Sequence, residues 1–213
     1  MDKKFVGIVL NKIDYKEKDK LVKLFSANDG LVIGKLKGVK GASSKLKVLA
    51  SPFCLAEFTA VETNGRLIIT GGEVVDTFFD LTNDISKYYV GCCILDFVNY
   101  ILSFQQDEFE KLFKIMLDAL KYLCYYDIQP SVVLIKFLLN VLNFCGFNLN
   151  LENCASCGTQ LNGDASIDFK DNSVKCGNCQ SHSSITLKYE NLISLKEINA
   201  CAYEDIKQYE IKL

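Results

Sequence analysis

Residues 5–41, FVGIVLNKIDYKEKDKLVKLFSANDGLVIGKLKGVKG, hold three runs rich in Val, Ile, Leu and Phe, broken by short polar segments. FVGIVLNKI, LVKLFS and LVIGKLKGV have the branched and aromatic composition that suits a pleated surface. Asn-Asp-Gly at 28–30 is a turn composition between the second and third runs. Two similar runs follow, FCLAEFTAVE and RLIITGGEVV, with Gly-Ala-Ser-Ser at 41–44 before them and Thr-Asn-Gly at 63–65 between them. Alternation is clearest over 56–62, where Ala56, Phe58, Ala60 and Glu62 share one parity. Five short strands of this kind are enough to close a small barrel, which removes exposed edges.

From about residue 81 the period changes. Phe109, Leu112, Phe113, Met116, Leu120 and Leu123 fall on one stripe of an amphipathic helix predicted over 107–126. Pro130 and Gly146 bracket another over 131–145, and Thr82 or Asn83 is placed to cap an earlier helix ending near Phe104. The expected architecture is therefore α+β, with a barrel domain over 1–80 and a helical domain over 81–213. Tyr88–Phe104 and Ser131–Phe147 are apolar enough to suggest membrane spans, but both are short and carry Asp96, Asn99, Lys136 and Asn140 inside them. They are expected to be buried core helices. The N-terminus has no signal-peptide pattern, and the protein is expected to be cytoplasmic, with no membrane partner.

A reducing compartment argues against reading ten cysteines as disulfides. Six of them, Cys54, Cys92, Cys93, Cys124, Cys145 and Cys201, lie in apolar stretches where a thiol acts as a small hydrophobe. The other four fall in the polar segment 150–186 as CASCG, at 154–158, and CGNC, at 176–179. The spacing Cys-x2-Cys-x18-Cys-x2-Cys is that of a four-thiolate zinc site, with ligands Cys154, Cys157, Cys176 and Cys179. Four thiolates fill a tetrahedron, so the zinc is expected to be structural, whereas a catalytic zinc keeps one position open. His182, the only histidine, is the one candidate for a substitute fourth ligand.

A single histidine also leaves little room for acid–base or nucleophilic schemes. GKLKGVKGASSK, at 34–45, lacks the Gly-Lys-Ser/Thr close of a phosphate loop. No catalytic residue is assigned, and an enzyme is not expected. Charge points elsewhere. The net charge of −2 hides twelve lysines against five acids in residues 1–50. Lys12, Lys16, Lys35, Lys37, Lys40, Lys45 and Lys47 are the candidate nucleic-acid contacts, with Lys18, Lys20 and Lys23 nearby. Small barrels bind single strands with a cationic groove for phosphates and aromatic faces for bases. Lysine, a point charge on a flexible stem, suits sequence-independent phosphate contact. Phe5, Phe25 and Phe53 are expected in the barrel core, with Tyr15 open to either role.

The order of these parts resembles the bacterial RecO family of DNA repair and recombination mediators. GIVLNKIDYKEKDKLVKLFSANDGLVIGKLKGVKG looks like the family's opening strands, SSKLKVLASPFCLAEF like the next stretch, and CASCG with CGNC like its zinc element. Lys37-Gly38 is followed by Val39-Lys40-Gly41-Ala42, where the family loop usually has adjacent arginines. The resemblance implies an N-terminal OB-fold and a helical domain carrying the zinc. It also implies a non-catalytic protein that binds single- and double-stranded DNA and anneals complementary strands. The implied partners are RecR and the C-terminal tail of single-stranded DNA-binding protein, with RecA recombinase loaded as the outcome. Two other classes fit parts of the sequence: an RNA- or ribosome-associated OB-fold zinc-ribbon protein, and a metal-dependent hydrolase.

Overall fold

The computed structural model describes residues 2–41, 45–104 and 107–208. Five strands, β1 (Asp2–Tyr15), β2 (Asp19–Ser26), β3 (Gly30–Leu36), β4 (Leu55–Thr63) and β5 (Arg66–Asp76), close a barrel in the order β1-β2-β3-β5-β4. This is an OB-fold. One strand serves two neighbours: β1 pairs with β4 through Asp2–Ile8 and with β2 through Gly7–Tyr15. A register shift between Val9 and Asn11 lets it bend from one partner to the other. The parallel pairing of β3 with β5, Gly34 to Leu67 through Leu36 to Ile69, completes the closure.

Val9, Val22, Leu24, Leu36, Ala56, Phe58, Ala60 and Ile69 fill the interior, so the parity of Ala56, Phe58 and Ala60 is the inward one. Gly34 leaves room for Ile69, whose Cδ1 lies 2.5 Å from where a Cβ on residue 34 would stand. Phe5 joins this core, stacked on Phe58. Phe25 and Phe53 are buried too, but against helices: Phe25 meets Phe113 edge-on, and Phe53 packs beside Tyr88 and Gly91. The segment between β3 and β4 carries a 3-10 turn, Lys45–Ala50, and anchors itself in the barrel core through Val39, Leu49 and Ala50.

Strands give way to helices near residue 80, and compactness divides the chain later, into Met1–Tyr126 and Asp127–Leu213. The first unit contains α1 (Ile85–Ile101) and α2 (Phe109–Tyr125), because α2 lays its buried stripe, including Leu112, Phe113, Met116 and Leu120, toward the barrel and α1. Gly30 makes this possible. Its φ of 68° turns β2 into β3, and the ring of Phe109 comes within 2.6 Å of where a Cβ would stand. Asp84, rather than Thr82 or Asn83, caps α1: its Oδ1 accepts from the Ser86 and Lys87 amides at 2.8 and 3.0 Å. Only one side of α1 is buried (Gly91, Ile94, Leu95, Val98), while Ile85, Tyr89, Cys93 and Tyr100 stay exposed, so it is not the fully buried core helix expected.

In the second unit, α3 (Pro130–Phe144) starts on Pro130 and ends at Gly146, whose φ is 84°. It is joined to α4 (Tyr189–Ala200) by buried Lys136, which donates to the Asn199 carbonyl at 3.0 Å. Burial pushes the Lys136 ammonium below its usual pKa. Between these helices lies a three-stranded sheet, β6 (Ala165–Asp168), β7 (Ser173–Cys176) and β8 (Ile185–Leu187), in the order β7-β6-β8. Among the described residues no helix is long and apolar enough to cross a membrane.

Candidate nucleic-acid interface and metal centre

The β6–β7 hairpin returns Cys176 to the first cysteine pair. Cys154, Cys157, Cys176 and Cys179 then bring their four sulfurs within 4.8 Å of one another. Four sulfurs about 2.3 Å from a central ion form a tetrahedron with edges of about 3.8 Å. Cys157 Sγ and Cys176 Sγ are separated by 3.8 Å, so the donor set fits a metal ion. Gly158, with φ 71°, closes the first turn and lets its amide donate to the Cys154 carbonyl at 2.9 Å. His182 is exposed and outside the four-sulfur group.

Backbone amides prepare this site for negative charge. The Cys176 amide donates to Cys154 Sγ at 3.3 Å, and with the Cys157 and Ser156 amides it holds the Cys154 thiol down at about 6. The Thr159 hydroxyl, 3.0 Å from Cys157 Sγ, lowers the Cys157 thiol. Crowding acts the other way on Cys179, pushed up to about 12 by the neighbouring Cys176 and Cys157 sulfurs. A divalent cation at the centre removes that repulsion and favours all four thiolates.

Buried Asp168 braces the outer loop. It accepts from Ser181 Oγ at 2.7 Å, from the Lys170 amide at 3.0 Å and from Lys175 Nζ at 3.0 Å, and these bonds, Ser181 first, hold its carboxyl at about 2. Leu151, Leu161, Ala165, Val174 and Leu192 form a small core beneath the cysteines. Of the remaining cysteines, Cys54 and Cys124 are buried, as small hydrophobes should be; burial pushes the Cys54 thiol up to about 11. Cys93 and Cys145 are exposed, because their positions fall on the outer faces of α1 and the α3 end.

The candidate lysines divide between two places on the barrel. Lys12, Lys20, Lys40 and Lys47 surround one groove, floored by Val39 and Ala50. Lys40 and Lys47 arrive there on the β3–β4 segment, whose apolar anchors leave its cations outside. Lys16 and Lys35 instead flank Tyr15, with Nζ atoms 5.8 and 4.9 Å from its ring centre. Lys37 is exposed, and the Lys45 side chain lies outside the described residues. Nothing in one dimension distinguishes Lys20, which the structure adds to this groove, from the other lysines of its stretch.

Acids answer some of these charges. Asp14 lies 3.1 Å from Lys40 Nζ and 3.4 Å from Lys20 Nζ, and Lys40 first, then Lys20, lowers its carboxyl pKa. Asp19 pairs with Lys35 at 2.8 Å and accepts the Gly38 amide at 2.9 Å, and Lys35 is the larger cause of its lowered pKa.

Two family models divide the chain between them: the one described as "Recombination protein O N terminal" matches residues 1–78, and "Recombination protein O C terminal" matches residues 82–212. The chain belongs to the RecO family. Its relatives include the "DNA repair protein RecO" of Caldicellulosiruptor bescii, 24% identical over 97% of this chain and 84% of that one. The protein of the same name from Clostridium novyi is 26% identical over 86% of this chain and 71% of that one. This RecO-family chain thus combines the family's OB barrel with a four-cysteine group able to hold a metal ion.

Proposed function

We propose that this protein is a non-catalytic, DNA-binding mediator of recombinational repair. It binds single- and double-stranded DNA, anneals complementary strands, and helps load RecA recombinase with RecR and single-stranded DNA-binding protein, in the cytoplasm. Family membership supports the pathway. The observation that supports the DNA contact is the groove of Lys12, Lys20, Lys40 and Lys47 on an OB barrel. Four ammonium groups around a shallow floor neutralise phosphates without reading bases. We further infer that the four cysteines hold zinc, which contributes folding free energy to a polar segment and performs no chemistry.

The test is a titration of labelled single-stranded DNA across salt. Affinity should fall with a log–log slope of about −0.7 per phosphate neutralised. The triple variant Lys12→Glu, Lys40→Glu, Lys47→Glu should reduce that slope by about 2 and weaken all sequences alike. Binding that ignores salt, or a triple variant that binds like the parent, would overturn the reading. Preference for RNA over DNA of equal length would move the protein out of DNA repair.

A further inference from the structure

The outer side of α1 carries a row of apolar side chains where a solvated helix would carry charges. Ile85, Tyr89, Cys93, Asp96, Tyr100 and Phe104 recur every three or four positions, so they line one edge of the helix and of the turn that follows it. All six are exposed, Ile85 by 72%, Tyr89 by 64%, Tyr100 by 63% and Phe104 by 69%. The rings hold one another in place. Phe104 stands edge-on to Tyr100 with centroids 5.0 Å apart, and Tyr88 meets Tyr89 at 6.3 Å and Phe53 of the barrel at 5.9 Å. Side chains already fixed lose little freedom on docking.

The chemistry of the row argues against two occupants. A nucleic acid needs cations, and the only charge on the row is Asp96. The nearest lysine in the helix, Lys87, is engaged with the Tyr126 carbonyl at 3.0 Å. A helix lying on a membrane pairs its apolar side with a basic one, whereas the other side of α1 is Gly91, Ile94, Leu95 and Val98, already buried.

A second copy of the same row fits better. About the midpoint between Ile94 and Leu95 the six positions are a palindrome: Ile85 mirrors Phe104, Tyr89 mirrors Tyr100, and Cys93 mirrors Asp96. Two such rows laid antiparallel about a two-fold axis put apolar on apolar and ring on ring, with the carboxylate opposite a thiol. Antiparallel helices also oppose their dipoles favourably. At about 200 Å² for a fully bared aromatic side chain, the exposed fractions of Ile85, Tyr88, Tyr89, Tyr100 and Phe104 come to roughly 600 Å² per chain. A pair covers roughly 1,200 Å², the lower limit of a specific interface.

We propose that α1 is a homodimer interface, in which the 85–104 row of one chain packs antiparallel on the same row of a second. A two-fold pair carries two barrels and so holds two strands at once, as annealing requires. That consequence rests on the nucleic-acid reading; the pairing itself does not.

Sedimentation equilibrium of the full metal-loaded chain, without DNA, tests the pairing. The parent should pass from monomer to dimer across the micromolar range, as suits an interface of this size. Tyr89→Lys alone and Tyr100→Glu alone should each weaken dimerisation about tenfold or more, while Tyr89→Phe behaves like the parent. Mixing the Tyr89→Lys and Tyr100→Glu chains should restore a dimer, because position 89 of one faces position 100 of the other; misfolded variants are not rescued by mixing. A short bismaleimide should join two chains through Cys93, since the palindrome leaves the two thiols three positions apart along the axes, about 4.5 Å. Cys93→Ser should lose that link and Cys145→Ser should keep it. A parent that stays monomeric, a dimer that survives both single variants, or a mixture that does not pair would overturn the interface. So would a monomeric parent that floats with anionic lipid vesicles and loses them in Tyr89→Lys, which would give the row to a membrane. Failure of the DNA reading looks different, because it leaves all of these masses unchanged.

Discussion

The Asp14 carboxylate lies 3.1 Å from Lys40 Nζ, so the cationic mouth of the barrel has an acid of its own chain as a counter-ion. The same carboxylate reaches Lys20 at 3.4 Å. A phosphate entering the groove competes with Asp14 for two of the four lysines that line it.

Asp14→Asn should therefore strengthen binding of single-stranded DNA. The gain should be about twofold to fivefold at low salt, the worth of an exposed ion pair, and should shrink as salt rises. Fluorescence anisotropy across salt measures it. A loss of affinity would show instead that Asp14 orients the lysines.

Asp19 makes a prediction about pH. Its carboxyl pKa is lowered by Lys35 and the Gly38 amide, so its stabilising contribution is present above the ordinary carboxylate pKa of 3.8 and is lost as pH falls below it. Denaturant unfolding of the parent should weaken through that acid range. Asp19→Asn should be less stable at neutral pH and show a flatter acid arm.

Metal analysis should find one zinc per chain. Cys176→Ser, or a strong chelator, should unfold the segment around 150–186, read by loss of hydrogen-exchange protection over β6 and β7, while protection of β1–β5 persists. Cys93→Ser, at an exposed position, should leave zinc content unchanged. A Cys176→Ser protein that kept both zinc and fold would remove that cysteine from the ligand set.

Asp168→Asn should speed zinc loss to a chelator without altering the four sulfurs. The substitution removes the charge that Lys175 and Ser181 are bonded to, and Ser181 leads directly out of the loop holding Cys179. A colorimetric chelator assay at neutral pH reads the rate.

Gly30→Ala should destabilise the first unit by about 2 kcal/mol or more, since a Cβ in a left-handed conformation costs about 1–2 kcal/mol before any clash. The clash here is with the Phe109 ring. A thermal melt shows the effect, and adding Phe109→Leu should recover part of it.

Much of this architecture is legible in one dimension because it depends on short-range periodicities. Ala56, Phe58 and Ala60 alternate at the strand period and all point inward; Leu112, Phe113, Met116 and Leu120 repeat at the helix period and are all buried. The two Cys-x2-Cys turns carry their own geometry, so the four ligand candidates are legible without the sheet that joins them. The exposed apolar face of α1 was not legible, since the composition of Tyr88–Phe104 does not say which residues find a neighbour.

By itself the sequence determined the barrel, the helices that follow it and the identity of the four thiols, because each rests on spacing between residues close in the chain. Only the tertiary structure decided which lysines act together. Lys12, Lys20, Lys40 and Lys47 come from three separate segments and meet because β1 and β2 pair while Val39, Leu49 and Ala50 pin the β3–β4 segment over the barrel. It also decided that Asp14 offsets part of that charge, that Asp19 pairs with Lys35 instead, and that Tyr15 and Arg66, fifty-one positions apart, share a groove. Coulomb and stacking energies depend on distance in space, and closure of the barrel is what sets those distances.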